Sequence, residues 1–109
     1  MSMSDGSHPV LVAPAGRLDA DTSGEFEKEV MEKLGASPRG MVMDFSGLGY
    51  VSSAGLRVVL LAAKKAKAAG GAFVLCGLSP SIKEVFKISG FLSILTVDPD
   101  RQAALARFG

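Results

Sequence analysis

The sequence predicts an α/β domain: a four- or five-stranded mixed, mostly parallel sheet with about four helices. Three observations support this. Short apolar runs alternate with segments of helical period along the whole chain. Most helical segments begin at a Ser, Thr or Asp and most stop at a Gly. The order (β)β-α-β-α-β-α-β-α implies right-handed crossovers between parallel strands, with room for an antiparallel pair at the start.

The elements follow in order. Val10-Leu11-Val12-Ala13 is an apolar run after the turn formers Gly6-Ser7-His8-Pro9 and reads as a strand. Residues 1–7 are either disordered or an edge strand beside it. Thr22-Ser23-Gly24-Glu25 fits a capping box, with Thr22 and Glu25 satisfying free amides at a helix start. Phe26, Val30 and Leu34 then recur every four residues, so an amphipathic helix should run to about Gly35. Met41 to Phe45 reads as a strand buried on at least one side, and Ser46 to Tyr50 as a loop.

Ser52 or Ser53 opens the next helix, which should reach about Ala69 and stop at Gly70-Gly71. Its first half (Leu56, Val58, Val59, Leu60, Leu61) is apolar nearly all round. Sheet must cover one side, and something else the other. Ala72 to Cys76 is a strand. Ser79-Pro80 begins a helix, since Ser suits the cap and Pro a first turn where no amide donor is needed. Ile82, Val85 and Phe86 should face inward, and Gly90 should end it. Ile94 to Val97 is the expected fifth strand. Asp98-Pro99 should start a last helix that packs through Ala103 and Leu105, or Leu105 and Phe108.

Composition narrows the function. The chain has 109 residues, 48% of them apolar, which suits a single domain spanning 1–109 with one core. Twelve Lys+Arg against eleven Asp+Glu give a net charge of +1, so nothing points to nucleic acid or membrane surfaces. One cysteine, Cys76, cannot build a disulfide framework, and the default compartment is a reducing cytoplasm. No apolar run is long enough to span a membrane. The N-terminus lacks the basic-then-apolar order of a signal peptide. Charge is uneven: Asp19 to Leu34 is acidic, and Ser53 to Gly70 carries Arg57, Lys64, Lys65 and Lys67 with no acid. Two solvated helix faces that attract each other weakly are the plain reading. A polarised partner surface is the sharper one.

Several chemistries are disfavoured. Gly47-Leu48-Gly49-Tyr50-Val51-Ser52 superficially resembles a dinucleotide fingerprint, but Ser52 replaces the third glycine and no acid follows about 20 residues later. A hydrolase elbow would need glycine two residues before Ser53, where Val51 stands. The one histidine, His8, lies in an N-terminal turn, so no Ser-His pair is expected. One Cys, one His and scattered carboxylates give no metal spacing, and no cofactor is expected. Ser52-Ser53 remains. One of the two caps the helix. A helix start also attracts anions through free amides and the helix dipole, so a phosphate there would be accepted locally. Spacing leaves both readings open.

The segment Val42-Met43-Asp44-Phe45-Ser46-Gly47-Leu48-Gly49-Tyr50-Val51-Ser52-Ser53-Ala54-Gly55-Leu56-Arg57-Val58-Val59-Leu60 resembles the signature of STAS domains, the anti-sigma factor antagonist family. Gly16-Arg17-Leu18-Asp19, Leu78 to Phe86 and Ile88-Ser89-Gly90-Phe91 resemble further stretches of that family, in order. The resemblance implies a partner switch in bacterial transcription control, without enzymatic activity. The unphosphorylated protein binds an anti-sigma factor that is also a serine kinase of the histidine-kinase-like ATPase type, and a sigma factor is freed. Phosphorylation ends the interaction, and a serine phosphatase resets it. By position the acceptor falls on Ser53, with Ser52 the alternative.

The resemblance further implies a partner face containing Asp44, Ser46, Tyr50, Ser52, Ser53, Ala54, Gly55 and Arg57. Many members carry Asp where this chain has Ser52, and a hydroxyl where it has Ala54. Rival readings are a non-phosphorylated STAS scaffold or regulatory module and a small-molecule or nucleotide-binding STAS domain. A monomer is expected.

Overall fold

A computed structural model describes residues 9–35 and 39–108. Four parallel strands form the central sheet: β1 (Val10–Val12), β3 (Gly40–Asp44), β5 (Ala72–Cys76) and β6 (Thr96–Asp98), in the order β1-β3-β5-β6. A second, two-stranded parallel sheet joins β2 (Gly16–Leu18) to β4 (Leu48–Val51). The helices are α1 (Ser23–Gly35), α2 (Ser53–Ala68), α3 (Pro80–Ile88) and α4 (Arg101–Ala106), with one 3-10 turn at Phe91–Ser93.

The sheet is covered on both faces, and the strands show it residue by residue. Met41, Met43, Phe73 and Leu75 point into the larger core with Phe26, Val30, Val59 and Phe86. Val42, Val74 and Cys76 point the other way, onto Ala104 of α4, with Leu11 and Phe108 alongside. Two-residue alternation between two buried faces explains why these strands are apolar throughout. Phe86 meets Phe45 and Phe91 edge-on, at ring centroid distances of 6.2 and 6.3 Å. Each such pair contributes about 0.5–1.5 kcal/mol beyond its buried area. Gly40 has φ +115°, and a Cβ there would lie 1.9 Å from the Ala72 carbonyl oxygen. Only glycine lets β3 start so close to β5.

Four expectations are corrected, and a fifth, the antiparallel pair at the start, falls on residues outside the described ones. Leu48 to Tyr50, read as loop, belongs to β4, because Gly16–Leu18 supplies a partner ladder. Every strand pair among the described residues is parallel; the edge strand expected within residues 1–7 lies outside them. The last strand starts at Thr96 rather than Ile94, because Gly90, with φ +81°, leads into the 3-10 turn that takes up Phe91–Ser93. The last helix starts from Asp100, whose carboxylate accepts from Ala103 N at 2.9 Å, not from Asp98-Pro99; Ala104 is its buried residue and Leu105 is exposed. The Thr22 hydroxyl turns back, accepting from Asp19 N and donating to the Arg17 carbonyl, in place of the expected box with Glu25. The Asp19 carboxylate takes the amides of Asp21 and Thr22 instead.

Candidate functional site

The site is built on the segment from β3 to α2. Asp44 ends β3 and is 4% exposed. Its carboxylate accepts from Ser46 N at 2.9 Å and from Arg101 Nε at 3.0 Å. Burial alone would raise its pKa. The Ser46 hydrogen bonds and the Arg101 charge outweigh that and hold it below the ordinary 3.8. Gly77 packs against this carboxylate from β5's end: its φ is +72°, and a Cβ would lie 2.6 Å from Asp44 Oδ1. Cys76 beside it is buried, and burial followed by the Asp44 charge pushes its thiol up to about 11. A thiol so raised is a packing group at neutral pH.

The chain then turns. Leu48 N donates to the Phe45 carbonyl at 2.9 Å, and Gly16 N to the Gly47 carbonyl at 3.0 Å. β4 runs beside β2, with Arg17 opposite Tyr50 and Leu18 opposite Val51. The Arg17 guanidinium stacks 4.3 Å from the Tyr50 ring centre, and its other contact is Asp19 at 3.3 Å. Ser52 N donates to the Leu18 carbonyl at 2.8 Å, so backbone pairing continues up to the helix cap.

Ser52 caps α2. Its backbone is extended (φ −95°, ψ 176°) and its Oγ accepts from Gly55 N at 3.4 Å. Ser52 is half-buried, whereas Ser53, the first helical residue, is exposed. Gly55 brings α2 hard onto β2 and β4: a Cβ there would meet Val51 Cγ2 at 2.9 Å and Leu18 Cβ at 3.0 Å. The amides of Ser53 and Ala54 have no acceptor among the described residues.

The structure therefore divides the expected partner-face residues into two groups. Ser46, Tyr50, Ser53 and Arg57 are exposed, and Ala54 is half-buried. Asp44 and Gly55 are buried, and Ser52 is half-buried and engaged in capping, so these three lie behind the exposed group. Arg57 reaches Glu27 on α1 at 3.3 Å, which links the basic and acidic helices directly. Sequence reasoning missed Arg101, Gly77 and Arg17. Arg101 is 57 positions from Asp44, with no local signal linking the two.

Comparison with known proteins identifies the family and the fold. The STAS domain family model matches residues 3–104. A Bordetella bronchiseptica protein named as an anti-sigma factor antagonist, BtrV, is 45% identical over 93 residues, covering 85% of this chain and 80% of that protein. A Thermotoga maritima structure described as an anti-sigma factor antagonist superposes with a TM-score of 0.84 at 18% identity, over 90% of this chain and 85% of that one. The antagonist SpoIIAA has been solved unphosphorylated (TM-score 0.76, 21% identity, 95% and 89% covered). The Bacillus SpoIIAA structure in the phosphorylated form gives 0.72 at 22% identity, with 100% and 96% covered. The chain belongs to the STAS-domain family of anti-sigma factor antagonists.

Proposed function

We propose that this chain is an anti-sigma factor antagonist whose binding ends when Ser53 is phosphorylated. The observation that carries this reading is the division of labour at the start of α2. Ser52 is spent on the cap, while Ser53 is exposed, and its hydroxyl and the amides of Ser53 and Ala54 have no partner among the described residues. A relative 45% identical that is named an antagonist supports the partner class.

The unphosphorylated chain binds an anti-sigma factor that is a serine kinase of the histidine-kinase-like ATPase type. Ser46, Tyr50, Ser53, Ala54 and Arg57 form the contact, and Asp44, Ser52 and Gly55 hold it in place. Phosphate on Ser53 adds roughly −1.5 to −2 charges at neutral pH. At an N-terminal turn the charge is tolerated by the helix. In a docked interface it introduces repulsion and a desolvation cost, so the complex separates. A serine phosphatase restores the binding form. The chain itself performs no catalysis; no helix among the described residues is long and apolar enough to cross a membrane.

The test is to incubate the purified protein with each candidate serine kinase of the same genome and ATP, then map any phosphate by peptide mass spectrometry. A single phosphate on Ser53, lost in Ser53→Ala, is the expected outcome. Phosphate on Ser52 would reassign the acceptor. A kinase that binds but leaves no phosphate would replace the switch with a non-switching module.

A further inference from the structure

The apolar first half of α2 is only partly covered. Leu56, Val58 and Val59 are buried, while Leu60 and Leu61 are half-exposed. They line a trough of about 430 Å³ with Leu56 and Phe91, running from Ser53 past Arg57. A second trough of about 330 Å³ continues it, floored by Ala63, Phe73 and Leu95 and flanked by Lys67. Leu60 and Lys64 belong to both, so the surface is continuous. Ile94, 69% exposed, stands on its rim.

The charges around it have one sign. Arg57, Lys64 and Lys67 flank the trough, and no carboxylate lines either half among the described residues. Glu27 on α1 touches Arg57 from outside. Lys64 and Lys67 make no ion pair among the described residues. From Leu56 to Lys67 the helix rises roughly 17 Å, about three turns. The trough is open along its length, whereas small-molecule sites enclose most of their ligand.

We propose that this trough docks an acidic amphipathic helix of the protein partner. Apolar side chains at i, i+3 or i+4, and i+7 would fill the floor between α2 and the Phe91–Ser93 turn. Acidic residues flanking them would meet Lys64, Lys67 and Arg57. The proposal deepens the antagonist reading and rests on it for the partner being a protein. It also gives that reading a physical direction. One end of the trough is Ser53, one helical turn from Arg57. A phosphate there repels an acidic helix and competes with it for Arg57.

The test uses the full-length chain, labelled with ¹⁵N, and three synthetic peptides of about 14 residues. One has Leu at helical spacing with Glu between, the second has Lys in place of Glu, and the third scrambles the first. Saturable amide shifts confined to 56–67 and 91–97 with the first peptide alone are expected. Lys64→Glu combined with Lys67→Glu should weaken that binding about tenfold. Ile94→Ser should also weaken it, and the thermal midpoint, measured alongside, should stay unchanged in both variants because these side chains are exposed. Equal binding of the basic or scrambled peptide, shifts elsewhere, or no shifts would overturn the proposal. So would decanoate shifting these residues when the acidic peptide does not, which would make the trough an amphiphile site. No kinase is involved, so failure here leaves the Ser53 phosphorylation test standing, and failure there leaves this one intact.

Discussion

The starts of α2 and α3 use the same device for different ends. Each helix follows a strand of the α/β framework, and each is capped by a serine. Ser52 Oγ accepts from Gly55 N at 3.4 Å, and Ser79 Oγ from Ile82 N at 3.3 Å. The difference lies one residue later. After Ser79 comes Pro80, with no hydroxyl and no amide hydrogen. After Ser52 comes Ser53, exposed, with both. Ser81, the hydroxyl near the α3 start, lies 3.4 Å from the Ser79 hydroxyl. The cap is structural in both places; the residue after the cap decides whether the helix start is also chemically available.

The largest expected effect breaks the comparison outright. With a kinase that modifies the wild type, Ser53→Ala should abolish phosphate incorporation and Ser81→Ala should leave it unchanged. Equal loss in both variants would mean the two helix starts are not distinguished in this way.

Next comes the seating of α2. Gly55→Ala should cost about 1–3 kcal/mol in urea unfolding, because the added methyl meets Val51 and Leu18. The matching position in α3 is Ile82, a buried side chain that fills space instead of leaving it. An unchanged midpoint for Gly55→Ala would show that the close approach relaxes freely.

Asp44, at the end of β3, ties the loop that leads toward α2 to Arg101 of α4, and its effect depends on pH. Its folded-state pKa is depressed below 3.8. Its contribution is therefore present above that value and lost as pH falls through the folded pKa. Asp44→Asn should be less stable than wild type by about 1–3 kcal/mol at neutral pH, and the gap should narrow in acid. Urea midpoints across the acid range would show it; a constant gap would assign the cost to altered hydrogen bonding alone.

The smallest effect sharpens the comparison. Ser52→Ala and Ser79→Ala should each cost about 1 kcal/mol, as lost caps do. Ser52→Ala should still be phosphorylated on Ser53. Loss of phosphorylation without loss of fold would move the acceptor to Ser52.

Much of this was legible in the sequence. The helical period of Phe26, Val30 and Leu34 and the Ser79-Pro80 start were readable because they are local patterns, and all appear as expected. β2 and β4 were not. Gly16–Leu18 and Leu48–Val51 are three and four residues long, each contains glycine, and each is a strand only because the other pairs with it. The same limit hid Arg101 behind Asp44. For the site, spacing alone left Ser52 and Ser53 equivalent; the cap geometry separates them. The apolar character of α2 indicated a second cover, and α1 supplies only part of it.

The short β2–β4 ladder has a consequence for timing. It is extended by one backbone hydrogen bond from Ser52 N to the Leu18 carbonyl, and Leu56 N of α2 donates to the Ser52 carbonyl, so the residue before the proposed acceptor is fixed from both sides. A phosphate added at Ser53 would then decorate a surface that already has its final shape. Segments that must order or melt add their own relaxation to a switch. Here the delay between signal and response would be that of the enzymes that add and remove the phosphate, with no refolding interval between the two states.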